Sequence, residues 1–179
     1  MARVEGQSSR GGRGLAFLAR FAGLLLLFSG VLTLKPVDAA VVEPFTAGIA
    51  RVCGAILKAA GEPVAVQGTE IRSEAFAVQI ENGCNGLETI LLYTSAVLAF
   101  PAPWRKRLSG LLLGVAAIQA FNLVRVVTLF WIGAHRPALF QTSHTVVWQS
   151  LVVLVGVLLF LVWAARSEGV RPGAAVSKP

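Results

Sequence analysis

Charged residues and cysteines are both scarce in this chain of 179 residues, and each scarcity excludes a class of protein. Only 14% of the residues are charged, whereas 55% are hydrophobic and the mean hydropathy is +0.71. Soluble domains carry charge on about a quarter of their residues, so this composition excludes an ordinary soluble enzyme and a disordered chain. Two cysteines, Cys53 and Cys84, are too few for a disulfide framework. The composition indicates an integral membrane protein, and the length suits one domain over residues 1–179.

Long apolar runs predict four membrane-spanning helices, because a spanning helix needs about 20 predominantly apolar residues. The third run contains the polar residues Gln119, Asn122 and Arg125, and the fourth is the most uniformly apolar. No internal repeat relates the runs to one another. We therefore expect an all-α polytopic membrane protein. The predicted spans are residues 15–34, 86–101, 108–133 and 145–165.

The insert between the first and second spans, residues 35–83, is predicted to lie outside the bilayer. Residues 39–60 form an amphipathic helix in this interpretation, and insertion of Arg51 would cost about 2.5–3.5 kcal/mol, so the helix is expected on the membrane surface. Apolar residues alternate in 64–67 and in 76–80, which predicts a small β-hairpin. The apolar face of the helix is predicted to contain Val42, Phe45, Ile49, Val52 and Ile56.

The distribution of charge predicts the orientation of the chain. Cytoplasmic loops carry an excess of Lys and Arg, so both termini and the tail 166–179 are expected in the cytoplasm, beneath a bacterial inner membrane. The net charge of +7 is thereby explained without a nucleic-acid partner. The cytoplasmic cations would be Arg3, Arg10, Arg13, Arg105, Lys106, Arg107, Arg166, Arg171 and Lys178, and the outer acidic residues Asp38, Glu43, Glu62, Glu70, Glu74, Glu81 and Glu88.

The first span has an alternative interpretation as a cleaved signal peptide. Val37-Asp38-Ala39 resembles a small-residue cleavage site after a hydrophobic run. The run of about 20 residues exceeds the roughly 7–15 that are usual for a signal, so a retained span is favoured. Cleavage would not change the sidedness of the other three spans.

Cys84 lies in a turn that favours a reactive thiol. Cysteines in membrane proteins are usually small apolar fillers, and Cys53 is expected to be one. Cys84 instead stands in Glu81-Asn82-Gly83-Cys84-Asn85-Gly86, at the predicted outer end of the second span. A helix N-terminus with free backbone N–H groups lowers the pKa of a thiol. The context is therefore compatible with either a filler or a nucleophile.

Arg125 is a charge inside the third predicted span, which is a functional hypothesis by default. Asn122 precedes it by three residues and shares nearly the same helix face. A structural alternative is an ion pair between Arg125 and Glu88, which lies one turn below Cys84 on the second span. This ion pair would not exclude a catalytic role.

His144 opens the fourth predicted span on the same side of the membrane as Cys84 and Arg125. A lone histidine at an interface is usually solvated, as we expect for His135. The three side chains together suit acyl transfer, in which a thiolate attacks a carbonyl, an imidazole transfers the proton and a guanidinium stabilises negative charge. No ligand spacing for zinc and no phosphate-binding loop occurs, so no metal or cofactor is expected.

These motifs resemble the exosortase/archaeosortase family of membrane cysteine transpeptidases. Cys84-Asn85-Gly86 matches the family's Cys-Ser/Asn-Gly turn, Asn122 to Arg125 matches its Asn-x-x-Arg element, and His144 matches the histidine that opens its last helix. The resemblance covers residues 76–165 and implies that Cys84 is the nucleophile, with Arg125 and His144 completing the catalytic set. The four predicted spans resemble the compact exosortase H type.

The resemblance also implies the substrates. Family members cleave a C-terminal signal, made of a short motif, a transmembrane helix and a basic tail, on exported proteins, and are thought to transfer the product to an acceptor. The alternative is a non-enzymatic membrane subunit or transporter component. In that case Glu88, Arg125, Asn122 and Gln119 would form a structural polar network between helices.

Overall fold

The computed structural model describes residues 2–168. The predicted cytoplasmic cations Arg171 and Lys178, and the tail beyond residue 168, lie outside the described residues. The side chains of Arg3, Arg10 and Arg13 are likewise outside the described part of the chain.

Helices account for most of the described chain. Two short π-helical turns, Asp38–Val42 and Ser143–Trp148, join α-helices end to end. The α-helices are α1 (Ala2–Leu32), α2 (Lys35–Val37), α3 (Glu43–Ala59), α4 (Leu87–Ala99), α5 (Trp104–His135), α6 (Pro137–Thr142) and α7 (Gln149–Glu168).

Within the described residues, four helical stretches are long and apolar enough to cross a membrane: Gly14–Leu32, Lys35–Ala59, Trp104–His135 and Pro137–Ser167. The prediction of an all-α polytopic membrane protein is confirmed. Three of the four stretches overlap the predicted first, third and fourth spans. The remaining one contains the helix that was predicted to lie on the membrane surface, whereas α4 has 13 residues.

Helix α4 is short for a membrane span but lies inside the bundle. Thirteen residues extend about 20 Å, whereas the hydrocarbon core is about 30 Å thick. The helix packs against α1, α5 and α7, and its Tyr93 and Val97 are almost fully buried. Tyr93 Oη donates a hydrogen bond of 2.9 Å to the carbonyl of Gly110 on α5. Neighbouring helices therefore enclose α4, which reduces its own contact with lipid.

A three-stranded antiparallel sheet precedes α4. The strands are β1 (Ala65–Gln67), β2 (Glu70–Arg72) and β3 (Ala77–Gln79), in the order β1-β2-β3. The predicted hairpin was wrong in its pairing, because β2 lies between the two predicted strands. Strand β2 has only one apolar residue, the fully buried Ile71, and is too short to show an alternating pattern in the sequence.

Helix α3 packs on this sheet and on the C-terminal half of α5. Its Cys53 is fully buried in a core with Ile71 and Phe130, as expected of an apolar filler. Of the five residues predicted for the apolar face, Val42 and Ile49 are buried inside the protein, and Val52 and Ile56 are 47% and 42% exposed. The buried side consists of Thr46, Ala47, Ile49, Ala50, Cys53, Gly54 and Leu57.

The two ends of α5 contact different parts of the protein. At its N-terminus, Lys106 Nζ donates to the carbonyls of Arg166 (3.4 Å) and Ser167 (3.3 Å), which joins this end to the C-terminus of α7. At its C-terminus, His135 lies 3.8 Å from a carboxylate oxygen of Glu62 in the chain segment that leads into the sheet. The basic residues around Lys106 are therefore separated from the sheet by the length of the bundle.

Candidate active site

The turn between β3 and α4 holds Cys84 in a fixed conformation. The backbone N–H of Cys84 donates to the carbonyl of Glu81 at 3.0 Å. Asn85 is 1% exposed, and its side-chain oxygen accepts the N–H of Leu87 at 3.0 Å, which satisfies a free donor at the start of α4. The Asn85 amide also donates to Thr46 Oγ1 on α3 at 2.9 Å. Asn85 thus joins the turn to two helices.

Gly86 is required by both its conformation and its surroundings. Its φ of 81° lies in the left-handed region that disfavours side chains. A Cβ atom at this position would lie 2.5 Å from Gln119 Oε1 and 3.1 Å from Asn122 Cγ, both on α5. The absence of a side chain lets the cysteine turn approach α5 closely.

The thiol of Cys84 contacts the imidazole of His144. The distance from Cys84 Sγ to His144 Nε2 is 2.9 Å. His144 lies in the π-helical turn before α7, and π-turns inside helices often occur at functional sites. Its ring is parallel to that of Phe140, with centroids 5.8 Å apart. The two residues, 60 positions apart in sequence, form a pair able to exchange a proton.

Arg125 extends from α5 towards the same sulfur. It is 1% exposed, and one terminal nitrogen lies 3.8 Å from Cys84 Sγ and 3.1 Å from Gln149 Oε1. Among the side chains that the structure describes, no carboxylate forms an ion pair with it. The alternative ion pair with Glu88 is not formed, and Glu88 is exposed. A buried cation without an anionic partner is costly, so an anion at the sulfur would be favoured.

The groups around Cys84 shift the pKa of its thiol in opposite directions. Burial raises the pKa of the thiol, Arg125 lowers it, and Glu81 and Glu88 raise it, with a net increase over the ordinary value. Burial and the two carboxylates thus favour the neutral thiol, whereas Arg125 favours the thiolate. A reaction through this sulfur needs a base, and His144 Nε2 is in contact with it.

The predicted structural polar network is not closed within the described residues. Asn122 is 0% exposed, and neither atom of its amide has a hydrogen-bond partner. Gln119 donates weakly to the carbonyl of Asn85 at 3.4 Å, while its side-chain oxygen has no partner. A network that served stability alone should satisfy its own members. These groups instead lie against Gly86, in the turn that carries Cys84.

A small cavity of about 30 Å³ lies beside the thiol. This volume is large enough to hold at least one water molecule. Within the described residues no group of three His, Cys, Asp or Glu side chains is placed to hold a metal ion. The cavity is lined by Val78, Gln79, Ile80, Cys84, Arg125, Val126, Leu129, Phe140 and His144.

Sequence reasoning missed the partners of the predicted residues. Gln149 holds Arg125, Thr46 holds Asn85, and Phe140 stacks on His144. The sequence did offer a clue to Gln149, because it is a polar residue in an otherwise apolar span. The sequence offered no clue to Thr46, since its hydrogen bond with Asn85 depends on how α3 packs against the turn.

The fold and the site together define a class of protein: a helical membrane protein that brings a thiol, an imidazole and a guanidinium to one point. The family model described as transmembrane exosortase, of the EpsH type, matches residues 9–165. The chain therefore belongs to the transmembrane exosortase family, as its motifs predicted. No curated protein and no solved structure matches it.

Proposed function

We propose that this protein is a membrane cysteine endopeptidase and transpeptidase that cleaves a C-terminal sorting signal from exported proteins. The observation that carries the proposal is the contact of 2.9 Å between Cys84 Sγ and His144 Nε2, with the Arg125 guanidinium 3.8 Å from the same sulfur. Membership in the exosortase family supports the same activity.

The reaction begins when His144 Nε2 takes the proton of the Cys84 thiol. The thiolate attacks the scissile carbonyl, a C–S bond forms, and the C–N bond breaks as the imidazolium returns its proton to the leaving amine. The product is a thioester on Cys84, and the hydrophobic tail of the substrate departs. An amine of an acceptor, or water, then attacks the thioester, His144 takes its proton, and the thiol is regenerated.

Arg125 stabilises negative charge during both steps. A guanidinium keeps its charge and is a poor proton carrier, which leaves proton transfer to His144. From 3.8 Å it favours the thiolate over the thiol. Gln149 fixes its terminal nitrogen at 3.1 Å, so that the charge is oriented before the substrate arrives.

The proposed orientation places this site on the outer side of a bacterial inner membrane and both termini in the cytoplasm. The separation of the basic end of α5 from the sheet end supports it, because Lys and Arg accumulate on the cytoplasmic side. In a Cys53→Ala variant, a membrane-impermeant maleimide added outside intact spheroplasts should label Cys84. Labelling only after the inner membrane is permeabilised would reverse the proposed orientation.

The activity is tested with a co-expressed exported protein that ends in a short motif, a transmembrane helix and a basic tail. Mass spectrometry of its new C-terminus identifies the cut site and any attached acceptor. Cys84→Ala should abolish processing, whereas the matched variant Cys53→Ala should retain it because Cys53 is a buried filler. Processing by Cys84→Ala at the wild-type rate would exclude the proposed chemistry.

A further inference from the structure

Strand β3 forms one edge of the sheet, and its hydrogen-bonding pattern shows which backbone groups face outward. The N–H of Ile80 donates to the carbonyl of Thr69 at 3.0 Å, and the N–H of Ser73 donates to the carbonyl of Phe76 at 2.8 Å. Backbone groups alternate in direction along a strand. Phe76, Val78 and Ile80 therefore direct their N–H and C=O groups to the β2 side.

Ala77 and Gln79 direct their backbone groups to the open side of β3. Both residues are exposed. Among residues 2–168, no backbone or side-chain hydrogen bond from outside the sheet reaches either of them. Two N–H donors and two C=O acceptors are thus available, in pairs about 7 Å apart along the strand.

This open edge adjoins the candidate active site. Gln79 and its neighbours Val78 and Ile80 line the same small cavity as Cys84 and His144. Cys84 follows Gln79 by five residues, at the turn that continues from the end of β3. A segment that paired with β3 and ran on past Gln79 would pass the sulfur.

We propose that the cleavage segment of the substrate binds as an added strand on β3, pairing with the backbone of Ala77 and Gln79 and presenting its scissile carbonyl to Cys84. This inference rests on the proposed function. Addition of an extended peptide to a sheet edge is a general mode of recognition in which main-chain hydrogen bonds give affinity. The occupant is an extended peptide because the edge offers alternating main-chain donors and acceptors two residues apart.

The same arrangement explains why a substrate is favoured over a second copy of this chain. A peptide bond in a helix has its carbonyl engaged in a hydrogen bond, so a segment to be cleaved must first become extended. An extended segment loses internal hydrogen bonds, and the edge of β3 restores them beside the nucleophile. Pairing of two copies through β3 would instead obstruct the approach to Cys84.

Phe140 lines the cavity that contains Cys84 and His144. Its ring contacts Phe76, with centroids 5.3 Å apart, and is parallel to His144. The cavity beside the thiol has a volume of about 30 Å³.

The first test separates backbone from side-chain recognition at Gln79. Gln79→Pro removes an N–H that the sheet does not use, and proline is tolerated on edge strands whose N–H faces outward. Gln79→Ala keeps the N–H and removes the side chain. We expect Gln79→Pro to process the co-expressed substrate at least about tenfold more slowly than Gln79→Ala does. Equal processing by the two variants would overturn the proposal.

The second test needs no change in the strand. The full-length Cys84→Ala protein, which cannot form the thioester, is mixed in lipid nanodiscs with a synthetic peptide spanning the cleavage site. Hydrogen exchange at the amides of Ala77 and Gln79 should slow at least about tenfold when the peptide is added. Unchanged exchange overturns the proposal, and so does protection without peptide that rises with protein concentration, since a second copy would then occupy the edge.

The two proposals fail in different ways. If Cys84→Ala still processes the substrate, the proposed catalytic chemistry is wrong, whatever occurs at β3. If Cys84 is essential but the amides of β3 stay unprotected, only the strand-addition proposal is wrong.

Discussion

Replacement of Gly86 by alanine should destabilise the protein more than the same replacement at Gly83. Both glycines have positive φ values, 81° and 92°, so each alanine incurs about 1–2 kcal/mol of backbone strain. At Gly86 the new methyl group would also lie 2.5 Å from Gln119 Oε1 and 3.1 Å from buried Asn122, whereas at Gly83 it would lie 3.4 Å from the flexible carboxylate of Glu88. Overpacking adds about 1–3 kcal/mol at Gly86 alone.

Cys53 provides the assay for this difference. In a Cys84→Ala background Cys53 is the single cysteine, and it is 0% exposed in the folded protein. Its alkylation on heating therefore reports unfolding. A total cost of about 2–5 kcal/mol should lower the Tm of Gly86→Ala by about 4–20 °C, and that of Gly83→Ala by less. A Tm for Gly83→Ala equal to or below that of Gly86→Ala would refute the close approach of the turn to α5.

Further predictions concern the reacting groups. Because burial raises the pKa of Cys84 while Arg125 lowers it and Glu88 raises it, Arg125→Gln should move the pH profile of Cys84 alkylation to higher pH, and Glu88→Gln should move it to lower pH. Shifts in the same direction would contradict these charge contributions. His144→Ala should reduce processing by about 10²–10⁴-fold while small reagents still alkylate Cys84. Gln149→Leu removes the hydrogen bond that orients Arg125 and should reduce processing without lowering the amount of inserted protein; unchanged processing would show that this bond has no role.

The fold class and family followed from local features of the sequence. Apolar runs and few charges predict a polytopic helical protein because residence in lipid depends on the composition of each segment by itself. The motif residues Cys84, Asn122, Arg125 and His144 indicated the exosortase family, which the family match confirms. Their catalytic roles stay predictions, to be tested by the variants above.

The features that the sequence did not predict are those that depend on contacts between distant parts of the chain. An apolar period cannot distinguish a face that meets protein from one that meets lipid, so it did not show that Ile49 is buried in the protein whereas Val52 and Ile56 are exposed. Strand β2 has a single apolar residue, Ile71, between two charged ones and shows no apolar alternation, so the sheet was predicted with one strand too few.

Composition and short motifs determined, from the sequence alone, that this chain is a membrane protein with a candidate nucleophile, cation and base. The tertiary structure decided which groups touch: Cys84 with His144, Arg125 with Gln149 rather than Glu88, and the open edge of β3 beside the thiol. The physical reason is the separation along the chain over which each property is determined. Partition into lipid is a property of each segment, whereas a contact between residues 24 or 60 positions apart depends on how whole helices pack.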